Sequence, residues 1–294
     1  MPMSSEHDAT ILHVDFTERK ITTKGIGADV TRQFLGGLGI NTWLLYRHTG
    51  PSTEPLGPEN VVLLSPGLLT GTDAPTSPRV EVTTKSPLTG LIGTGNSGGH
   101  WGPSLKKAGF DTLMIIGASP SPVYILVDDE EVTLHEADHL HGMDTYETTD
   151  ALKQDHGQEF SVMAVGPAGE NKVRFAAPVF DKQHMPGRCH AGAVLGSKNL
   201  KAVAVRGTGE VKVRDPERFS QSVDEAERRI RSYPAWRSRA KAGSMGAIGV
   251  TETGVDYDEA ATPFLRRGEP GVYCPCMMES LYGCNLVTDI MQGQ

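Results

Sequence analysis

Apolar residues cluster or alternate in a series of short runs: ATILHVDF (9–16), NVVLLSPG (60–67), RVEVTTK (79–85), TLMIIGA (112–118), PVYILVDD (122–129), SVMAVGP (161–167), VRFAAPVF (173–180) and KAVAVRG (201–207). Clusters of Gly, Pro, Ser and Asn separate them, so the pattern predicts a strand-dominated body from about residue 9 to 207. Two stretches break the strand pattern. Residues 31–48 place Phe34, Leu35, Leu38, Trp43, Leu44 and Leu45 on or near one face of a helix, and residues 145–156 read as a second helix that Asp144 can cap. After Val213 the pattern changes again, and DPERFSQSVDEAERRIRSYPAWRSRAKAG (215–243) reads as charged amphipathic helix broken at Pro234. A boundary near residues 207–214 follows, separating residues 9–210 from residues 211–294. The fold class is α+β, strands first and helices after, with no internal repeat.

Composition narrows what such a chain can do. Its 294 residues suffice for one large domain or two ordinary ones, and 38% hydrophobic with 22% charged residues describes a globular protein. No apolar run approaches the roughly 20 residues of a membrane span. A net charge of −8 argues against a nucleic-acid partner, which would require clustered Lys and Arg. The first residues, MPMSSEHDATILHVDF, carry neither a basic n-region nor an apolar h-region, so the cytoplasm is the expected compartment.

That compartment changes how the cysteines read. Cys274, Cys276 and Cys284 fall within YCPCMMESLYGC (273–284), and closely spaced thiols in a reducing compartment more often hold a metal or do redox chemistry than form disulfides. Cys274 and Cys276 lie too close for a C-x-x-C redox pair, while Pro275 between them stiffens the loop. Three thiolates are one short of the four that zinc or an iron–sulfur cluster takes. Another residue type completes the set, the fourth ligand lies elsewhere, or the three are buried, unliganded cysteines.

Other motifs carry less. GTGNSG (93–98) fits the dinucleotide fingerprint G-x-G-x-x-G, but SPLTG (86–90) lies upstream and Pro103 and Gly109 cut any following helix to about two turns, so the βαβ context is missing. A glycine loop still lets backbone N–H groups approach a ligand, and Asn96 and Ser97 could meet phosphate, a heterocycle edge or magnesium. His135, His139 and His141 in HEADHLHG (135–142) read as a solvated polar loop, and DDEE (128–131) as a hairpin tip.

Four blocks in order carry a family resemblance: FLGGLGINTWLLY (34–46), the long stretch from EPLGPENVV to LMIIG (54–117), AVGPAGEN (164–171) and GRCHAGAVLGSKNLKAVAV (187–205). Together they resemble the N-terminal domain of the tungsten-dependent aldehyde ferredoxin oxidoreductase family over about residues 9–210. The resemblance implies a domain of two β-sheets forming a base for a tungsten bis-molybdopterin cofactor, with molybdenum ranked second, followed by the start of a mostly helical domain. It also implies aldehyde oxidation to a carboxylate, with ferredoxin or an electron-transfer subunit as acceptor; a homodimer is an open option.

Residue by residue, Arg79 in TSPR resembles a pterin-contacting arginine, for which a planar guanidinium is suited; a surface salt bridge is the plain alternative. Asn96 and Gly98 match positions where a side-chain oxygen reaches a magnesium between the pterin phosphates and where backbone meets cofactor; an ordinary turn is the alternative. Arg188, Cys189 and His190 fall on the second cofactor segment, with the Cys189 carbonyl as implied magnesium ligand and its sulfur unused. For the cysteines, the resemblance implies a 4Fe-4S cluster. YGCNL (282–286) is similar to the family's middle-cysteine motif and supports Cys284, but the flanking family cysteines would fall on Leu281 and Thr288. Cys274 and Cys276 would then supply corners from a different loop, a departure more similar to the tungsten subunit of class II benzoyl-coenzyme A reductases, which act on an aromatic acyl thioester. The family's later segments have no counterpart before Gln294, so the chain reads as the front part of a longer protein, or else as a short, non-catalytic cofactor-binding subunit that acts only with a partner chain.

Overall fold

The structure, a computed structural model, describes residues 9–234 and 236. They form two mixed sheets with helices, the α+β architecture expected. The first sheet holds β1 (Ala9–Asp15), β2 (Lys20–Ile26), β3 (Val62–Pro66), β4 (Val80–Lys85), β5 (Ile92–Ser97) and β6 (Thr112–Ile116), in the order β2-β1-β6-β3-β4-β5. The second holds β7 (Val123–Asp128), β8 (Glu131–Glu136), β9 (Ser161–Ala164), β10 (Val179–Phe180) and β11 (Leu200–Arg206), in the order β10-β9-β11-β7-β8. One neighbouring pair in each sheet is parallel, β1 with β6 and β11 with β7. The helices are α1 (Ala28–Phe34), α2 (Leu38–His48), α3 (Trp101–Lys107), α4 (Thr145–His156), α5 (Pro167–Glu170), α6 (Ala191–Ser197) and α7 (Pro216–Ser232).

Burial explains the layering. Val62, Leu64, Val80, Val82, Leu113 and Ile115 of the first sheet share one core with Val123, Ile125, Val203 and Val205 of the second, and Trp101, Leu105, Val194 and Leu195 bring α3 and α6 into it. Trp101 has no exposed surface; its Nε1 donates to the Val203 carbonyl at 3.0 Å and its ring meets Phe180 edge-on at 5.4 Å. The other face of the first sheet packs Ile11, Leu63 and Met114 against Ile40, Leu44 and Leu45 of α2. The far face of the second sheet packs Val162, Ala164, Ala202 and Ala204 against Leu152 of α4. Alternation along each strand feeds both faces, as a covered sheet requires.

The α4 start is as expected: Asp144 accepts from the backbone of Tyr146 and Glu147 at 2.8 Å each, and Glu147 returns a bond to the Asp144 N–H at 2.9 Å. Other expectations are corrected. The helix expected over residues 31–48 is two helices, because the chain turns through positive φ at Leu35 (64°) and Gly37 (50°). Residues 93–97 of the expected glycine loop are strand, within β5. Of VRFAAPVF only Val179–Phe180 is strand, and His135 lies on β8 rather than in a loop, stacked on Tyr124 at 4.9 Å.

The chain divides into two units. Met1–Gly71 with Pro78–Val211 form the first, and Thr72–Ser77 with Lys212–Gln294 the second. Within the second, α7 is held by its own chemistry: Asp215 accepts from the Arg218 N–H at 3.1 Å, Glu225 pairs with Arg228 and Arg229, and no residue of the helix is buried. Among the described residues no helix is long and apolar enough to cross a membrane.

Candidate cofactor site

Strand pairing sets the site. β4 and β5 run antiparallel with Glu81 opposite Asn96 and Thr83 opposite Thr94, so these four side chains share one face of the hairpin. Just before β4, Arg79 Nη1 donates to Asn96 Oδ1 at 2.9 Å, and Thr94 Oγ1 donates to the Glu81 carboxylate. Burial pushes the Glu81 carboxyl above the usual range, against the opposing effects of the Thr94 hydrogen bond and the Arg79 charge. Gly37 sits above, with a Cβ there falling 4.0 Å from Glu81 Cβ and 3.8 Å from Gly67 Cα. Those contacts would admit a side chain, so the φ of 50° is what explains the glycine at this turn.

Below α2 a buried polar chain stiffens this face. Asn41 Nδ2 donates to the Glu81 carbonyl and to Thr83 Oγ1, each at 3.1 Å, and Asn41 Oδ1 accepts from Ser65 Oγ. Ser65 is also 2.7 Å from Thr112 Oγ1. With the Ser65 hydrogen committed to Asn41, Thr112 must be the donor in that contact.

The opposite face of β5 meets the segment that carries the other candidates. A Cβ on Gly93 would lie 2.5 Å from the Cys189 carbonyl oxygen, and one on Gly95 would lie 3.2 Å from Pro186. These glycines are therefore required for close backbone packing. At the strand end Gly98 is buried, and His184, itself buried, lies against Gly98 and Gly99. Ser97 Oγ on the same face is buried with no hydrogen-bond partner among the described residues, the kind of group a bound ligand satisfies.

His190 adopts left-handed backbone (φ 60°) at the start of α6. Ser86 Oγ accepts from the Leu88 and Thr89 N–H groups at 3.1 and 3.2 Å, so its own hydrogen goes to His190 Nδ1 at 2.8 Å. That accounting leaves His190 Nε2 as an N–H donor. The Cys189 thiol is fully buried, donates to the Pro186 carbonyl at 3.1 Å, and has its pKa pushed up by burial to about 11. Arg188 is exposed and makes no hydrogen bond or ion pair among the described residues.

The structure thus joins Arg79 to Asn96 and seats Cys189 and His190 on the same hairpin. It does not bring the Asn96 side chain together with the Cys189 carbonyl, because strand alternation puts them on opposite faces of β5. Cys274, Cys276 and Cys284 lie outside the described residues. Glu81, Ser86 and His184 went unread in the sequence. The period of two in RVEVTTK already places Arg79, Glu81 and Thr83 on one face, whereas nothing local marks His184.

The model of the aldehyde ferredoxin oxidoreductase N-terminal domain matches residues 11–207. The chain belongs to the aldehyde ferredoxin oxidoreductase family. This family member is 41% identical over 224 residues to the tungsten-containing aldehyde ferredoxin oxidoreductase of Thermococcus kodakarensis, covering 76% of this chain and 37% of that protein. The Pyrococcus furiosus enzyme of the same name is 36% identical over 284 residues, covering 90% of this chain and 47% of the relative. The chain therefore spans less than half the length of these relatives. Among solved structures, the active-site complex BamBC of benzoyl coenzyme A reductase with 1,5-dienoyl-CoA matches with TM-score 0.74 and 37% identity, over 76% of this chain and 34% of the matched one.

The donor set of this aldehyde ferredoxin oxidoreductase domain fits a phosphorylated pterin. The Arg79 guanidinium held by the Asn96 amide lies on one face of the hairpin, while the His190 imidazole N–H and the unpartnered Ser97 hydroxyl belong to the other, and each is a group of the kind that a ligand rich in acceptors can meet.

Proposed function

We propose that the intact protein is a tungsten bis-molybdopterin oxidoreductase that converts an aldehyde to a carboxylate in the cytoplasm and passes the electrons to ferredoxin or an electron-transfer subunit. The observation that carries this reading is the Arg79–Asn96 bond on β4–β5, in a chain whose relatives are tungsten-containing aldehyde ferredoxin oxidoreductases. The reaction adds an oxygen from water to the aldehyde carbon and releases two electrons and three protons. The tungsten cofactor supplies the two-electron redox chemistry when bound.

This chain's residues bind and orient. Arg79 presents its fork to a pterin edge or phosphate, and the Asn96 carbonyl oxygen holds that fork in place. Arg188 supplies a second cation for phosphate, His190 Nε2–H a neutral donor, and Gly98 close backbone approach. A magnesium ion at the phosphates would take the Cys189 carbonyl or the Asn96 side chain, not both at once. Cys274, Cys276 and Cys284 supply three thiolates to a 4Fe-4S cluster that carries electrons away singly, the fourth ligand coming from elsewhere in the assembly. Molybdenum ranks behind tungsten.

A second reading is favoured by the similarity to the benzoyl coenzyme A reductase complex: a low-potential donor reduces an aromatic acyl thioester. Assay of the full-length protein with an aldehyde panel, and separately with reduced viologen and an aromatic acyl thioester, separates the two. Inactivity with both classes refutes both. Independently of turnover, Arg79→Ala and Arg188→Ala should lower tungsten and pterin content together. Full pterin occupancy in both variants counts decisively against the site. Cys284→Ala should abolish a reducible cluster signal in electron paramagnetic resonance while pterin stays bound.

A further inference from the structure

A cavity of about 280 Å³ in the first unit takes no part in the site above. It opens between the end of α1 and the start of β6; Leu35, Ile40, Pro66 and Leu68 form an apolar part of its wall, and Arg32, Lys106, Asp111 and Thr112 a polar part. Leu35 and Leu68 leave 61% and 59% of their surface exposed, so apolar area at the mouth faces water. Leu35 is held there by left-handed backbone at the C-terminus of α1, φ 64°.

The charges in the cavity do not cancel. Lys106 is paired with Asp111 Oδ1, and Asp111 Oδ2 accepts from the Thr10 N–H at 2.8 Å, so that pair is internally satisfied. Arg32, in the last turn of α1, lines the same cavity and makes no hydrogen bond or ion pair among the described residues. One positive charge therefore remains without a partner, and it sits on an exposed side chain. At the wall, Thr112 has spent its hydrogen on Ser65, as the chain through Asn41 to the Glu81 carbonyl requires. The Thr112 hydroxyl offers no donor, and Asp111 repels an anion. An anionic head is stable only against Arg32, with the apolar part of the ligand inserted among the leucines, Ile40 and Pro66.

We propose that this cavity binds a small apolar monocarboxylate, apolar end inward and carboxylate on Arg32. The volume of about 280 Å³ lies just below the usual range for ligand pockets, roughly 300–1,000 Å³, which excludes nucleotides and acyl-coenzyme A esters. A single unpartnered cation selects a monoanion over phosphate. The inference does not depend on the cofactor reading.

The test is isothermal titration calorimetry of the full-length protein with hexanoate, and with hexanamide as the neutral isostere. Saturable one-to-one binding is expected, with hexanamide weaker by about tenfold, the worth of one charge-assisted hydrogen bond. Arg32→Gln should weaken hexanoate to the same extent and leave hexanamide unchanged; Arg32 is exposed, so the variant keeps its fold. Leu68→Trp, which fills the mouth, should abolish binding of both. Absence of saturable hexanoate binding at tens of millimolar overturns the proposal. So does equal affinity for hexanoate and hexanamide, or an Arg32→Gln variant that binds hexanoate as well as the parent.

Discussion

The two faces of the β4–β5 hairpin are built from the same twelve residues and have opposite characters. One face carries Val80, Val82, Gly93 and Gly95, and is pressed so closely by Pro186 and Cys189 that a single methyl group has no room at Gly93. The other carries Glu81, Thr83, Thr94 and Asn96, joined to Arg79 and Asn41 by hydrogen bonds. Period two in a strand lets one segment be core on one side and candidate chemistry on the other. The glycines that look like a nucleotide loop in the sequence are explained by the packed face, and the polar residues between them by the open one.

The contrast predicts a graded response to mutation. Trp101→Ala, which empties the core beneath the packed face, should cost about 3–5 kcal/mol in denaturant unfolding. Gly93→Val, by forcing β5 away from Cys189, should cost about 1–3 kcal/mol through overpacking. If Gly93→Val unfolds at the parent's midpoint, the close approach is not a constraint. On the other face Asn41→Leu leaves the Ser65 hydroxyl and the Glu81 carbonyl short of partners and should cost about 1–3 kcal/mol. Thr94→Val, which removes only the bond to Glu81, should cost about 0.5–1.5 kcal/mol.

The pH dependence has two windows. Burial is the largest cause lowering the pKa of His13, His48 and His135 from 6.5, so the unfolded chain takes up protons before the folded one does. Stability contributed by these neutral rings is full above about pH 6.5 and is lost as the pH falls through their lower folded values. Lys198 behaves likewise at the alkaline end: fully buried, with Nζ donating to the Pro58 and Gly117 carbonyls at 3.1 and 3.0 Å, it has its pKa pushed down by burial to about 8. Unfolding free energy should therefore rise between pH 8 and 10.5 as the unfolded chain holds the proton longer. That alkaline rise should vanish in Lys198→Met. Its persistence there would assign it to another group.

What the sequence made legible is local. RVEVTTK, TLMIIGA and KAVAVRG alternate or cluster strongly enough to be strands in any context, and Asp144 with Glu147 is a complete helix-start signal. The same period of two was masked in GTGNSG, where glycines replace the apolar partners because the packed face leaves space for none. Residues 31–48 carry an apolar stripe across a break made by positive φ at Leu35 and Gly37, which the stripe itself does not reveal. The resemblance singles out Arg79 and Asn96 separately, and their pairing emerges only from the hairpin register. The Ser86–His190 bond spans 104 residues, a separation no spacing rule reaches.

The buried Cys189 thiol has a practical corollary. A sulfur with no exposed surface and a pKa of about 11 does not meet an alkylating reagent in the native protein. Its labelling then requires the segment from Pro186 to lift off β5, so the rate at which mass is added at Cys189 reports how often that segment detaches. The molecule carries its own stopwatch for that motion, readable by mass spectrometry at a single peptide without any introduced probe.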